Sequence, residues 1–324
     1  MILLTGATGI VGHFIAQQLL SEGHPVRALK RSQSNTERLG QHQGLEWVEG
    51  DVEDIPSLQK AFAGVEYVVH CAAIVSFHQE DKKRMMEVNV EGTANMINLA
   101  IENKVRKFVH ISSVAALGRK EGSPVIDEKT KWEESKNNTN YAESKYLGEL
   151  EVWRGQEEGL ATVILNPSIV LGPGDWHSSS MHVFKYVNQE RIFYPVGEMN
   201  FVDVRDVANI ACKMLFNDKS GERFILNAGM ASYKKVFGYI SEHLNKPRPR
   251  YRVSYALLTF AYVFDMLRSF MTRQKSIITK ESLRLSKMSF MFSNDKITRD
   301  MQYTFRTLEE SVAWTCQELK NTPM

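Results

Sequence analysis

Up to about residue 166 the chain alternates short apolar runs with stretches whose apolar positions recur every three or four residues. Ile2–Thr5, Pro25–Leu29, Leu45–Val48, Tyr67–His70, Lys107–Ile111 and Thr162–Asn166 read as strands, and Val11–Ser21, Leu58–Phe62, Lys83–Glu102 and Tyr141–Glu157 as helices. Strands alternating with helices predict an α/β fold, a doubly wound parallel sheet with helices on both faces. Beyond Asn166 the pattern changes. Gly172-Pro-Gly174 and Ser178–Ser180 mark a break, Phe201–Val204 reads as a strand and Val207–Phe216 as a helix returning to the sheet. Arg223–Asn227 is a further strand, and from Tyr233 onward the pattern is mainly helical.

Ligands of such sheets lie beyond the carboxyl ends of the strands, so a motif that directly follows a strand is the one to read for chemistry. The first strand runs into Gly6, Gly9 and Gly12, and an amphipathic pattern follows at Val11, Phe14, Ile15 and Leu19. A glycine turn between strand and helix lets the backbone approach a pyrophosphate, while the helix N-terminus offers free N–H groups and the positive end of its dipole. This opening predicts a Rossmann dinucleotide-binding domain over residues 1–166, with 200–228 returning to it. A smaller, mostly helical substrate-binding lobe then covers 167–199 and 229–324.

Tyr141-Ala-Glu-Ser-Lys145 puts a phenol and an ammonium four residues apart, on one face of a helix that Asn140 can cap and Glu143 can close as a capping box. A cation beside a phenol lowers its pKa, and a phenol so tuned can give a proton to a carbonyl oxygen or take one back. Ser112 and Ser113 end the strand before it. Either could simply begin a turn, but a hydroxyl there is also placed to hydrogen-bond a substrate oxygen. After the second strand comes Lys30-Arg31-Ser32, with no acid to accept the ribose hydroxyls of NAD. Arg31 suits a 2′-phosphate, so NADP(H) is the expected cofactor and NAD(H) the lesser fit.

At 324 residues, 43% apolar and 24% charged, the chain has the composition of a soluble globular protein, and a net charge of +2 gives no reason to expect nucleic acid. Cys71, Cys212 and Cys316 are scattered and form no metal-binding pattern, which fits reduced thiols in a cytoplasm. Met1 leads into the first strand without a basic leader. The apolar run Tyr255–Phe264 is too short to cross a bilayer. A helix packed over the cleft or core is the plain reading; with Arg250, Arg268, Arg273 and Lys275 nearby, the 252–275 segment could instead lie on a membrane surface.

The ordered motifs resemble the extended short-chain dehydrogenase/reductases, the NAD-dependent epimerase/dehydratase superfamily, and within it the dihydroflavonol-4-reductase and 3β-hydroxysteroid dehydrogenase branch. They include Thr5-Gly-Ala-Thr-Gly-Ile-Val-Gly12, Gly50-Asp-Val52, Val69-His-Cys-Ala-Ala73, Asn89-Val-Glu-Gly-Thr93, Ile111-Ser-Ser113, Asn166-Pro-Ser-Ile-Val-Leu-Gly-Pro-Gly174 and Phe201-Val-Asp-Val-Arg-Asp206. The resemblance implies that Gly6, Thr8, Gly9, Ile10 and Gly12 meet the cofactor, with Asp51 and Val52 at the adenine, Ala72 and Ala73 alongside and Pro167 flanking the nicotinamide. It also implies Ser113 and Tyr141 as catalytic residues, Lys145 as both catalytic and ribose-binding, and Asn89 as ordering the central helix. The implied reaction interconverts a ketone or aldehyde and an alcohol. Ile74, Phe77, Trp176, Met181, Phe184 and Tyr194 could line an apolar cleft. A nucleotide-sugar epimerase and a non-catalytic NADP(H) sensor are the alternatives; Val114-Ala115 after the serine lacks the acidic pair of dehydratases, and Arg205 leans away from epimerases. Met301-Gln-Tyr303 and Phe305-Arg306 depart from the branch's usual Leu-Gly-Tyr and Pro-Arg. Relatives often pair through the helices near Lys83–Glu102 and Tyr141–Glu157, which makes a homodimer an expectation here.

Overall fold

The computed structural model describes residues 1–118, 125–135, 138–176, 181–272, 279 and 290–321. Ser178–Ser180, Arg273 and Lys275 lie outside the described residues. Strands β1 (Ile2–Thr5), β2 (Val26–Lys30), β3 (Leu45–Glu49), β4 (Tyr67–His70) and β5 (Lys107–Ile111) fall where the apolar runs predict them. A two-residue strand β6 (Val125–Ile126) pairs with Met291–Phe292 at the side. With β7 (Thr162–Pro167), β8 (Ile169–Leu171), β9 (Phe193–Pro195), β10 (Glu198–Asp203) and β11 (Glu222–Leu226), the central sheet has seven strands in the order β11-β7-β5-β4-β1-β2-β3. Every pairing in it is parallel.

The sheet is buried on both faces, and successive residues of each strand feed opposite layers. Leu4, Val69 and Val109 join Ile15, Leu19 and Ile210 in one core, under helices α1 (Ile10–Ser21) and, later in the chain, Val204–Phe216. Leu3, Val68 and Phe108 join Phe62, Met96 and Val152 in the other, under α2 (Ile55–Phe62) and the two helices that follow β4 and β5. The strand order reverses between β1 and β4, where the register pairs Thr5 with His70. The crevice at that reversal is where ligands of this architecture bind.

The expected helix Lys83–Glu102 is not one regular rod. It runs as a 3₁₀ turn at Gln79–Asp81, α3 (Lys82–Met86), a π-helical turn at Glu87–Glu91 and α4 (Gly92–Glu102). Two contacts account for the wide turn. The Asn89 side chain leaves the helix to bond Ile74, and Gly92 sits so close to Val52 that a Cβ there would lie 2.6 Å from Val52 Cγ2. Wide turns of this kind gather at functional sites. Helix α5 (Asn140–Glu157) forms as predicted, but its cap is Thr139, whose hydroxyl accepts from Ala142 N at 3.0 Å. Glu143 therefore closes no capping box and instead pairs with Lys82 at 3.0 Å.

The strand expected at Phe201–Val204 does not enter the central sheet. β10 lies between β8 and β12 (Gly229–Ser232) in a three-stranded sheet, whereas β11 does join the central one, beside β7. Helices α6 (His182–Asn188), α7 (Val204–Phe216) and α8 (Tyr233–Leu244) follow, and Phe184, Phe201, Phe237, Ile240 and Val312 form a separate core. The Phe201–Asp206 motif ties the chain's end to α7. Asp203 caps the helix and holds the Arg205 guanidinium through both oxygens, at 2.9 and 2.7 Å. Asp206, fully buried, accepts from Tyr303 Oη at 3.0 Å, from Arg306 N at 2.9 Å and from the Arg306 guanidinium. Met181 and Phe184 are likewise fully buried in the lobe core, so they cannot line a cleft. Helix α9 (Tyr255–Thr272) corrects the plain reading: Phe260 and Phe264 face outward, 73% and 68% exposed.

Candidate active site

The site forms where β1, β4, β5 and β7 end. Gly6 has φ of +71°, which a side chain strains, and a Cβ there would lie 2.8 Å from Ala72 N. Gly12, one turn into α1, lets helix and strand meet: its Cβ would stand 2.6 Å from the Gly6 carbonyl carbon. Gly9 caps α1 without a side-chain bond, and the first turn holds no acid. Thr8 and Gly9 are exposed and Ile10 half-buried at this helix start. The N-terminus thus presents free N–H groups to the crevice, as an anion requires.

Below this turn a hydroxyl–imidazole chain fixes the strand ends. Thr5 Oγ1 accepts from Cys71 N at 3.2 Å and Ala72 N at 3.1 Å, so its own proton goes to His70 Nδ1 at 2.7 Å. His70 Nε2 then donates to Thr93 Oγ1 at 3.1 Å, and Thr93 donates to Asn89 O at 2.7 Å. Burial, with Lys145 nearby, pushes the His70 pKa down to about 3, so the ring stays neutral and keeps this one tautomer. Asn89 closes the chain above. Its amide clamps Ile74 through N and O at 2.7 and 2.9 Å and donates to Ser144 Oγ at 2.9 Å, which binds Tyr141 O.

Ser113 and Tyr141 come together. Ser113 follows β5 and accepts from Ala115 N at 3.1 Å, so it does begin a turn; its side chain also lies close enough to act on the Tyr141 phenol. Ser112 has a buried hydroxyl with no partner among the described residues. Burial raises the Tyr141 pKa, and the nearby Ser113 side chain pulls it back down. This corrects the expectation that Lys145 does the lowering. Lys145, only 2% exposed, donates to Ile111 O at 3.0 Å, and burial brings its pKa down to about 8 against the pull of Glu149. An ammonium has three donors, and this one has a single acceptor within the described chain. Phe77 meets Tyr141 edge-on at 6.3 Å.

The remaining expected residues surround this centre. Val52 is buried beneath Gly92, and Asp51 Oδ1 accepts from Glu53 N at 3.2 Å. Ala72 is half-buried and Ala73 exposed, just after β4. Pro167 is buried at the end of β7, opposite Leu226. Arg31 is exposed after β2; its backbone N binds Ser34 Oγ, and its guanidinium makes no bond to any described residue. Trp176 and Tyr194 pack against the lobe core. A surface hollow of about 890 Å³ opens elsewhere, between Gln18, Glu22, Lys213, Phe216 and Asp300, and receives none of these residues.

Two connections escaped the sequence reading. Glu149, 1% exposed, accepts from Asn166 Nδ2 at 2.5 Å and pairs with Arg223 at 3.2 Å, while Asn166 Nδ2 also donates to Ser113 O at 2.8 Å. Asn166 thereby joins the face bearing Tyr141 and Lys145 to Ser113. Glu149's place four residues after Lys145 was the available signal. Arg38 crosses from the β2–β3 loop to Pro173 O and lies over the Phe14 ring at 5.6 Å, a contact with no sequence signature.

A glycine cradle, an acid-free helix start and a buried ammonium with spare donors are together the fittings of a dinucleotide site. The chain belongs to the NAD dependent epimerase/dehydratase family, which it matches over residues 2–229. It is an NAD(P)-dependent oxidoreductase of the extended short-chain dehydrogenase/reductase superfamily. It is 30% identical to sterol demethylase protein B of Methylococcus capsulatus, over 96% of this chain and 97% of that one. It is 29% identical to a putative dihydroflavonol 4-reductase of Synechocystis, over 96% and 92%. The crystal structure of gox2253 superposes with a TM-score of 0.84 at 31% identity, covering 99% of this chain and 98% of the other.

Proposed function

We propose that the chain is an NADP(H)-dependent reductase that interconverts a ketone or aldehyde with an alcohol on a bulky, largely apolar substrate, with Tyr141 as acid/base. The observation that carries this is the Tyr141 phenol brought beside the Ser113 hydroxyl at the carboxyl end of the sheet, one turn from a buried ammonium. A reduced nicotinamide bound in the crevice supplies the hydride. Ser113 donates a hydrogen bond to the substrate oxygen and holds the carbonyl in line. Tyr141 gives that oxygen its proton, and the Lys145 ammonium holds ribose hydroxyls with its spare donors. The phosphates rest at Gly6, Thr8, Gly9, Ile10 and Gly12, the adenine near Asp51 and Val52, and Ala72, Ala73 and Pro167 line the rest.

The choice of NADP(H) over NAD(H) rests on Arg31, whose guanidinium has no bond to any described residue and which has no acid ahead of it on β2. An apolar substrate fits the Phe77 ring, which meets Tyr141 edge-on at 6.3 Å. Residues 1–166 with 200–228 serve the cofactor and 167–199 with 229–324 the substrate. A homodimer through α4 and α5, where Leu150 is 42% exposed, and a cytoplasmic setting for the three free thiols complete the reading. The test follows NADPH and NADH oxidation against a panel of apolar ketones and aldehydes, and the isomer composition of UDP-sugars incubated alongside. Turnover of apolar carbonyls with NADPH is expected; turnover of UDP-sugars alone would make the chain an epimerase.

A further inference from the structure

The helix α9 is packed the wrong way round for a protein that ends at its own surface. Leu257, Phe260, Phe264 and Met271 recur at helical spacing, so they share one face, and they are 46, 73, 68 and 82% exposed. Leu258, Tyr262, Asp265 and Ser269 share the other face and are half-buried or buried, Asp265 at 7%. The inward carboxylate is held by Arg268 at 2.8 Å. An 18-residue helix is about 27 Å long, and one face of it presents these four apolar side chains to the surroundings. Val263 and Met266, 44 and 48% exposed, widen that stripe.

The chain entering α9 adds exposed apolar residues and positive charge. β9 pairs in parallel with Tyr251–Val253, which leads straight into the helix. Ile192, Phe193 and Tyr251 are 53, 41 and 58% exposed, and the Phe193 and Tyr251 rings lie 5.9 Å apart. Arg191, Arg250 and Arg252 flank them in sequence and are all exposed. The acids closest along the chain are already engaged, Glu190 with Lys246 at 2.7 Å and Glu242 with Arg248 at 3.0 Å. The Arg191 guanidinium reaches the neutral Gln189, and those of Arg250 and Arg252 have no partner among the described residues.

We propose that this surface docks the protein onto an anionic lipid bilayer, with the α9 stripe immersed at the headgroup–acyl boundary and Arg191, Arg250 and Arg252 on the lipid phosphates. Such a surface matches both features at once: apolar side chains leave water, and each guanidinium near an anionic leaflet strengthens binding about fivefold. A second copy matches less well, because a twofold interface would bring the same unpaired guanidiniums toward one another. The helix lies on the bilayer rather than through it, since no described helix is long and apolar enough to cross. This docking does not depend on the catalytic reading.

The experiment is co-sedimentation of the full chain with vesicles of phosphatidylcholine containing phosphatidylglycerol, and with phosphatidylcholine alone, at low and high salt. Two double variants accompany it, Phe260→Glu with Phe264→Glu and Arg250→Glu with Arg252→Glu. All four positions are exposed, and thermal melts check that each variant folds. Binding to the anionic vesicles is expected, with weakening by salt and a loss of about tenfold or more in either variant. Failure to bind anionic vesicles at low salt would overturn the proposal, as would variants that bind like the parent. Sedimentation velocity supplies a further outcome: a dimer that the Phe260→Glu, Phe264→Glu variant disperses would assign the face to a second copy and overturn it equally.

Discussion

Single residues set cofactor choice and the fit of the crevice. Arg31 directly follows β2 and its guanidinium makes no bond to any described residue, so its charge is available to a 2′-phosphate. A charge-assisted bond of this kind contributes about 1.5–3 kcal/mol. Arg31→Asp should therefore weaken NADPH binding by roughly ten- to a hundredfold and improve NADH binding, as read by titration with each cofactor. An unchanged ratio of the two would remove the phosphate from this position. Gly6, Gly12, Ser113, Tyr141 and Lys145 were legible because their chemistry is local: a turn that excludes Cβ, a phenol and an amine on one helix face. The Glu149–Asn166–Ser113 bridge was not, because its members come from α5, β7 and the end of β5, and only the fold brings them within 2.8 Å of one another.

The elements then hold those residues still. α1 must touch the end of β1, and Gly12 makes that approach possible; an added methyl would meet the Gly6 carbonyl carbon at 2.6 Å and Ala7 N at 2.9 Å, both backbone atoms that cannot step aside. Gly12→Ala should cost about 1–3 kcal/mol of stability and lift the helix N-terminus from the phosphates. A lower melting temperature together with weaker NADPH binding would bear this out, and a variant with parental values in both would contradict it. The strands of the central sheet were readable from their apolar runs, most within a residue of their ends. The π-helical turn at Glu87–Glu91 was not, because it answers to Ile74 and Val52, contacts far along the chain. α9 misled for the opposite reason. An apolar helix is ordinarily read as core, and nothing in its sequence says that Asp265 faces inward while Phe260 and Phe264 face out.

For the whole molecule, the buried imidazoles tie stability to pH. Burial lowers the His70 pKa to about 3 and, with Arg38 adding to it, the His13 pKa to about 4, from 6.5. The unfolded chain therefore takes up these protons first. Their contribution is complete above about pH 6.5 and is lost as pH falls toward 4 and then 3, at about 1.4 kcal/mol per histidine per unit. Denaturant titrations at pH 7 and pH 5 should show the acid shift directly; equal stabilities at the two would mean that the imidazoles are hydrated or charged in the fold.

The Thr5–His70–Thr93–Asn89 chain and the Glu149–Asn166 bridge both converge on the loop and helix that carry Ser113 and Tyr141. That convergence is what makes proton donation by Tyr141 the centre of this account. Its most direct test is the steady-state rate of Tyr141→Phe on a carbonyl that the parent reduces, with NADPH affinity measured on the same sample. Removing the proton donor alone should lower kcat by about a hundredfold or more while the NADPH dissociation constant stays within a few fold. A Tyr141→Phe enzyme that turns over at the parental rate would contradict the account.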